Sequence, residues 1–430
     1  MIRHLLDAIY AVVLFWISPL WLLHIPRAPR YRAGLLQRLG VVPVREGDEP
    51  CLWIHCASVG EAAIPSTFVE RFAQRHPEWN IVLSTCTNTG ARRLEELYPD
   101  CRVIYWPLDI SFCVDAALQR VRPSLVLLVE QEMWPNFLLG CREQSIPVGV
   151  INGRIGEGSA RFVRCLARLL PPVLDPVQFC CARSDEDARR YCSVGLDRGL
   201  VRVSGSLKYE SLPDGANEEG VETLEKLFAV RDSDSVLVAG STHDGEEVAV
   251  ATIWRRLREG DANVRLIVAP RHIERAAQVA GELEEAGFRV ARKTEIEETD
   301  RGVEEDEIIL VDTIGDLVDC YGLATCVFVG RSLYPPGGGQ NMMEPAALGR
   351  PVIVGPHTGN FEPEMQVLRR ENAVIEVDDE EEFMRVLRSL IPDCDRRDEL
   401  SRNARRAIEV NKGAVLETLR VVENTLRGCT

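Results

Sequence analysis

Short, nearly unbroken apolar runs recur along this chain. Longer stretches separate them, with apolar residues returning every three or four positions. The runs at 51–56, 80–84, 102–106, 124–130, 147–152 and 177–182 are of the first kind, and the stretches at 61–75 and 112–122 are of the second. Runs rich in Val, Ile and Leu predict strands buried on both faces, and the three-to-four spacing predicts helices. Their alternation predicts a parallel sheet with helices on both sides. The polar, turn-rich stretch at 210–220, ESLPDGANEEG, breaks the pattern and reads as a linker. A second series of strands is predicted at 235–240, 264–269, 307–311, 325–330 and 351–354. The acidic stretch at 295–307 reads as a solvated loop, and 378–382 as either a loop or a helix start.

The expected fold class is therefore α/β, with two Rossmann-like domains facing a central cleft. The first covers 27–209, 210–220 is the linker, and the second covers 221–395. A helical tail at 396–430 could pack back on the first domain. Open sheets of this kind place ligands at the carboxyl ends of their strands.

The beginning of the chain differs from the rest. Residues 8–23 form an uncharged run of 16, interrupted only by Ser18 and Pro19. A crossing helix needs about 20 residues. Trp16 and Trp21 suit an interfacial belt, and Arg27, Arg30 and Arg32 suit anionic headgroups. We expect a membrane-associated helix over 1–26, spanning or lying flat, with a buried amphipathic helix as the alternative. No small-x-small cleavage site follows Leu23.

The formal net charge of −16 argues against a nucleic-acid binder, whose surface must neutralise phosphates. The 14 cysteines include no Cys-x-x-Cys pair, which predicts reduced, mostly buried thiols facing the cytosol. No His, Asp or Glu cluster has metal-ligand spacing, so no metal site is expected.

Strand ends carry the candidate chemistry. In the second half these are GSTHDGEE (Gly240, Ser241), PRHIER (Arg271) and GRSLYPPGGGQN (Ser332, Gly337, Gly338, Gly339, Asn341), with Glu344 one turn further on. Small residues and an arginine at one mouth suit an anionic ligand, and the three glycines are expected to form a nest of N–H groups for a phosphate. A tight turn with ordinary helix capping is the competing reading. Asn341 could cap the helix or bind the ligand. Glu344 could hold sugar hydroxyls, while His243 and His272 read as structural or peripheral.

In the first half, HCASVGE carries Ser58, Gly60 and Glu61. Ser58-x-x-Glu61 spells a capping box, yet an ionised carboxylate there could also accept a proton from a hydroxyl nucleophile. Glu130 and Glu132, in VEQEMWPN, lie at another strand end and could orient an acceptor. Lys208 could meet a phosphate or lie on the surface.

Taken in order, RAGLLQRLG, HCASVGE, VEQEMWPN, INGRI, GSLKYE, GSTHDGEE, APRHIER, DTIGDL and VFVGRSL…GGGQNMMEPAALGRPVIVGPHTGNF resemble the 3-deoxy-D-manno-octulosonic acid (Kdo) transferases of lipopolysaccharide core synthesis. The resemblance runs from the apolar N terminus to about residue 425. It implies a GT-B glycosyltransferase at the inner membrane, with its catalytic domains on the cytoplasmic face and anionic lipids as partners. The implied donor is CMP-Kdo, the implied acceptor a lipid A precursor of the lipid IVA type, and the implied transfer inverting, without metal or other cofactor. Glu61 matches the family's general base and Glu132 a second acidic position. Arg271, Gly240, Ser241, Ser332, the glycine run, Asn341 and Glu344 match the donor side. Ser58, Gly60, Arg154 and Lys208 match acceptor or phosphate contacts. Gln340 replaces a usual histidine, Ser206 a usual asparagine, and Gly158 stands where an arginine is common. The rival readings are another GT-B enzyme or a nucleotide-sugar epimerase using a UDP donor, and a non-catalytic tethered binding protein.

Overall fold

A computed structural model of the chain describes residues 3, 4, 6–8, 10–12, 33–260, 263–299 and 301–428. Most of the apolar run at 8–23 lies outside them. Among the described residues, no helix is long and apolar enough to cross a membrane. The chain divides into two compact units, Met1–Ser211 with Asn411–Thr430, and Leu212–Val410.

The first unit is built on seven strands, β1 (Cys51–His55), β2 (Asn80–Thr85), β3 (Arg102–Tyr105), β4 (Leu125–Val129), β5 (Val148–Gly153), β6 (Val177–Ala182) and β7 (Val201–Val203). All pair in parallel, in the order β3-β2-β1-β4-β5-β6-β7. Every residue of β1, β4 and β5 is buried, as unalternating apolar sequences require in a sheet covered on both faces. Successive side chains still take opposite faces. Trp53, Val126 and Leu128 join one core with Trp106 and Phe137. Leu52, Ile54, Leu125 and Leu127 join the other with Phe68, Phe72 and, from the end of the chain, Val415, Leu419 and Val422.

The expected helix at 61–75 is two helices, Val59–Ala62 and Ser66–Arg75, because Pro65 cannot continue a helix and instead caps the second. The described part of the N-terminal segment is held by polar contacts. Arg3 pairs with Asp115 at 2.8 Å and Glu143 at 2.6 Å. Asp7 accepts the Ser111 N–H at 2.9 Å and an Asn136 side-chain N–H at 3.0 Å. Tyr10 donates to Asp109 at 2.9 Å. Asp109 also accepts the backbone N–H groups of Asn136 and Phe137, opening the helix Pro135–Glu143, which accounts for the Trp-Pro-Asn spelling.

The second unit repeats the plan with β8 (Ser235–Thr242), β9 (Val264–Pro270), β10 (Arg289–Arg292), β11 (Glu307–Leu310), β12 (Cys326–Val329), β13 (Val352–Val354) and β14 (Val374–Glu376). Its parallel order is β10-β11-β9-β8-β12-β13-β14. Part of the expected acidic loop at 295–307 is helical, in Lys293–Thr299. The stretch at 378–382 is a helix start, with Asp379 accepting the Glu382 N–H ahead of Glu380–Leu390. The C-terminal region is two helices. Cys394–Glu409 lies in the second unit and Ala414–Gly428 in the first.

Candidate active site

The strand order reverses between β1 and β4 in the first sheet and between β8 and β12 in the second, where β10 and β11 are also exchanged at the edge. Connections leave such a point in opposite directions, which opens a crevice at the carboxyl ends of the strands.

In the first unit that crevice is acidic. Beyond β1, the loop 56–58 is stitched to β2 by the Cys56 N–H to the Ser84 carbonyl and the Cys86 N–H to the Ala57 carbonyl. Glu61 folds back over this loop. One oxygen accepts the Ala57 N–H at 2.8 Å and the other the Ser58 hydroxyl at 2.9 Å. The capping box is thus rearranged, because the Ser58 hydroxyl donates to the carboxylate instead of capping the helix. Burial pushes the Glu61 carboxyl up to about 6, against its two hydrogen bonds and with help from the charges of Glu130 and Glu132. Gly60 is exposed, and a Cβ there would approach nothing closer than Ser58 Oγ, at 3.9 Å.

Glu130 follows β4 with φ of 63°, its N–H bonded to the Ile151 carbonyl. Glu132 accepts the Trp134 indole N–H at 2.9 Å, and burial raises its carboxyl. Its Oε2 lies 3.9 Å from Nε2 of His55, the buried last residue of β1. That imidazole stacks on Trp106 at 3.7 Å, and burial lowers it to about 3. Arg154, just past β5, is exposed. Lys208 lies in the turn Leu207–Tyr209, held by the Leu207 N–H donating to Asn152 Oδ1 at 3.0 Å. Sequence reasoning missed Asn152, and its signal was an asparagine ending a buried strand, where it tolerates φ of 50°.

In the second unit the crevice is basic and polar. A Cβ on Gly240 would sit 2.2 Å from the Tyr321 hydroxyl, so only glycine fits. Ser241 and Arg331, at the ends of β8 and β12, have φ of 54° and 56°. Both loops are gathered by Glu246, only 1% exposed. Its carboxylate accepts the N–H groups of His243 (2.9 Å), Arg331 (2.7 Å), Ser332 (2.9 Å) and Leu333 (3.0 Å). Arg271 is exposed just past β9, with its backbone fixed by an N–H to the Thr242 carbonyl. Among the described residues neither Arg271 nor Arg331 has an ion pair or hydrogen bond to its guanidinium. His243 and His272 lie with ring centroids 5.7 Å apart, and the Arg331 charge acts on His243. Asn341 accepts the Met343 N–H and donates to Glu344 at 2.9 Å. Burial raises the Glu344 carboxyl, and the charge of Arg271 opposes this.

Two expectations are corrected here. Gly337, Gly338 and Gly339 all have positive φ, but they do not form an open nest. The Gly338 N–H donates to the His357 carbonyl and the Gly339 N–H to the Arg331 carbonyl. A Cβ on Gly337 would sit 2.1 Å from His357 Cβ. The tight-turn reading holds, and the helix beyond is only five residues, Met343–Ala347. Ser332 is fully buried, and its hydroxyl donates to the Val329 carbonyl and accepts the Gly355 N–H, so it braces the loop rather than meeting a ligand. The cationic side chains of Arg271 and Arg331 take over as the groups suited to an anion. Among the described residues, no set of three His, Cys, Asp or Glu side chains is placed to hold a metal ion.

A family model described as 3-deoxy-D-manno-octulosonic-acid transferase (kdotransferase) matches residues 33–211. The chain is similar to a 3-deoxy-D-manno-octulosonic acid transferase of Haemophilus influenzae, 29% identical over 401 residues and 91% of each chain. It is also similar to one of Chlamydophila psittaci, 28% identical over 331 residues, 76% of this chain and 75% of that one. Among solved structures it is similar in fold to a UDP-GlcNAc 2-epimerase from Neisseria meningitidis, with a TM-score of 0.58 and 13% identity, covering 87% of this chain and all of that one.

Proposed function

We infer, because the chain belongs to the 3-deoxy-D-manno-octulosonic acid (Kdo) transferase family, that it is a glycosyltransferase that transfers Kdo in lipopolysaccharide synthesis. In this reading the donor is CMP-Kdo and the acceptor a lipid A precursor of the lipid IVA type. The enzyme works at the cytoplasmic face of the inner membrane, among anionic lipids. The observation that carries the reading is Glu61, a carboxylate fixed by Ala57 and Ser58 and raised by burial to about 6. Such a group is ionised at neutral pH yet more basic than an ordinary glutamate, which suits a general base.

Glu61 removes the proton from an acceptor hydroxyl. The oxygen attacks the anomeric carbon of Kdo, the bond from that carbon to the CMP phosphate oxygen breaks with inversion, and CMP leaves with the bonding pair. Glu132, held by Trp134, orients the acceptor. Ser58, Gly60, Arg154 and Lys208 lie on the same unit and supply acceptor contacts, Gly60 by leaving room. Arg271 and Arg331 hold the phosphate and stabilise the charge that develops on it, so the reading needs no metal or other cofactor. Ser241 and Glu344 contact the nucleotide or the sugar.

The test is product analysis by mass spectrometry, using purified protein, CMP-Kdo and a tetraacylated lipid A precursor. The expected mass gain is one or more Kdo units. UDP-sugars serve as control donors, and transfer from them but not from CMP-Kdo overturns the donor assignment.

A further inference from the structure

The RAGLLQRLG stretch is not used by the reading above, yet the structure gives Gly34, Gln37, Arg38 and Gly40 definite roles in it. Gly34 has φ of 69°, and a Cβ there would sit 2.0 Å from the Tyr105 ring. The Gln37 side chain accepts the Tyr105 N–H at 2.8 Å, and the Arg38 carbonyl accepts the Leu108 N–H at 2.7 Å. Gly40 has φ of 87°, with the Cys113 carbonyl 2.4 Å from where its Cβ would be. The short helix Leu35–Arg38 is therefore clamped against the end of β3.

The clamp delivers one side chain. The Arg38 guanidinium stands 4.8 Å above the Tyr105 ring and donates to the Cys86 carbonyl at 2.7 Å. Cys86 adjoins the acid site. Its thiol is 3.8 Å from His55 Nε2, which is itself 3.9 Å from Glu132. Burial pushes that thiol up to about 12, the charges of Glu132 and Glu61 add to the effect, and the charge of Arg38 opposes it. Arg38 thus shares a neighbour with both acids, yet among the described residues its guanidinium forms no ion pair and no hydrogen bond except the one to the Cys86 carbonyl. A guanidinium stacked on a ring and tethered at one nitrogen has lost most of its freedom already, so binding an anion costs it little further ordering. Its remaining N–H groups suit a two-point contact with a phosphate.

We propose that Arg38 binds a phosphate group of the acceptor and so fixes which acceptor hydroxyl lies against Glu61. The proposal rests on the glycosyl-transfer reading above and deepens it. The site has a physical need for this cation. Glu61, Glu130 and Glu132 repel an anionic acceptor, and a fixed positive charge beside them offsets that repulsion.

The experiment measures Kdo transfer by the full chain to a phosphorylated acceptor and to the same acceptor with its phosphate removed. Wild type, Arg38→Ala and Arg38→Lys are compared, with thermal melting as a folding check. Arg38→Gln, which keeps a donor for the Cys86 carbonyl, replaces the alanine variant if that one melts early. Losing a charge-assisted contact should raise KM for the phosphorylated acceptor about tenfold to a hundredfold. The variant should also lose the wild-type preference for the phosphorylated form, with the lysine variant in between. An equal rise in KM for both acceptors means a structural role and overturns the proposal. Equilibrium binding of both acceptors to Glu61→Gln, with and without Arg38→Gln, reads the contact without turnover. If the wild type transfers no Kdo, the functional reading fails while this binding arm still decides the role of Arg38. Inorganic phosphate that competes as well as the phosphorylated acceptor also overturns the acceptor assignment.

Discussion

Glu246→Gln changes one atom in the second unit and should have a large effect. The carboxylate accepts four backbone N–H groups, those of His243 and Arg331 on one oxygen and those of Ser332 and Leu333 on the other. A side-chain amide has one acceptor and one donor end, so whichever way it turns it sets an NH2 group against two N–H donors. The Ser332 and Leu333 bonds are buried and the other two partly so, and the amide should therefore turn its NH2 toward His243 and Arg331. A buried N–H without an acceptor costs about 1–3 kcal/mol. Two such groups, partly open to water, give roughly 2–4 kcal/mol, a large share of the ~5–15 kcal/mol that holds a typical fold. The assay is hydrogen exchange by mass spectrometry with thermal melting alongside. The His243 and Arg331 amides should exchange at least tenfold faster in the variant, and the melting temperature should fall by several degrees. CMP affinity should drop as well, because both loops that carry Ser241 and Arg331 depend on this carboxylate. Unchanged exchange at 243 and 331 with an unchanged melt refutes the reasoning.

Glu61→Gln should lower kcat/KM for Kdo transfer by about 10²–10⁴, measured at saturating donor. In the proposed mechanism Glu61 acts in its ionised form, and burial raises its carboxyl to about 6, so wild-type activity should fall as pH drops through about 6 and level off above it. A rate–pH profile with no acid limb there contradicts the assignment. Gly240→Ala places a methyl 2.2 Å from the Tyr321 hydroxyl and should cost about 1–3 kcal/mol in urea unfolding. Gly60→Ala meets nothing within ordinary contact except Ser58 Oγ at 3.9 Å, so its melting temperature should match wild type. Any rise in its acceptor KM then reports lost room for substrate.

The apolar runs at 51–56, 124–130, 147–152 and 235–240 became β1, β4, β5 and β8, close to the expected bounds. These strands are central, both faces are buried, and burial requires apolar side chains at consecutive positions. β7, β10 and β14 were not foreseen. They are three or four residues long at or beside the sheet edges, and they carry exposed residues such as Arg202, Arg289 and Glu376. Edge strands are short and charged because that discourages pairing with other chains, and the same property removes the apolar signal. The positions of Glu61 and Glu132 just past strand ends were legible because each follows a strand that was itself legible.

The sequence by itself showed three glycines in a row at 337, 338 and 339, residues free to take the positive φ values found there. Only the tertiary structure decided where their amides point. The acceptor at Gly338 comes from His357, about twenty residues further on, and the one at Gly339 from Arg331 across the turn. Arg38 gives the opposite case, an arginine given no role of its own in the sequence that folding stacks on Tyr105 and sets beside the acids. Backbone conformation is a local property written into residue type, whereas a hydrogen-bond partner depends on which distant segment arrives. That is decided by the packing of the whole unit.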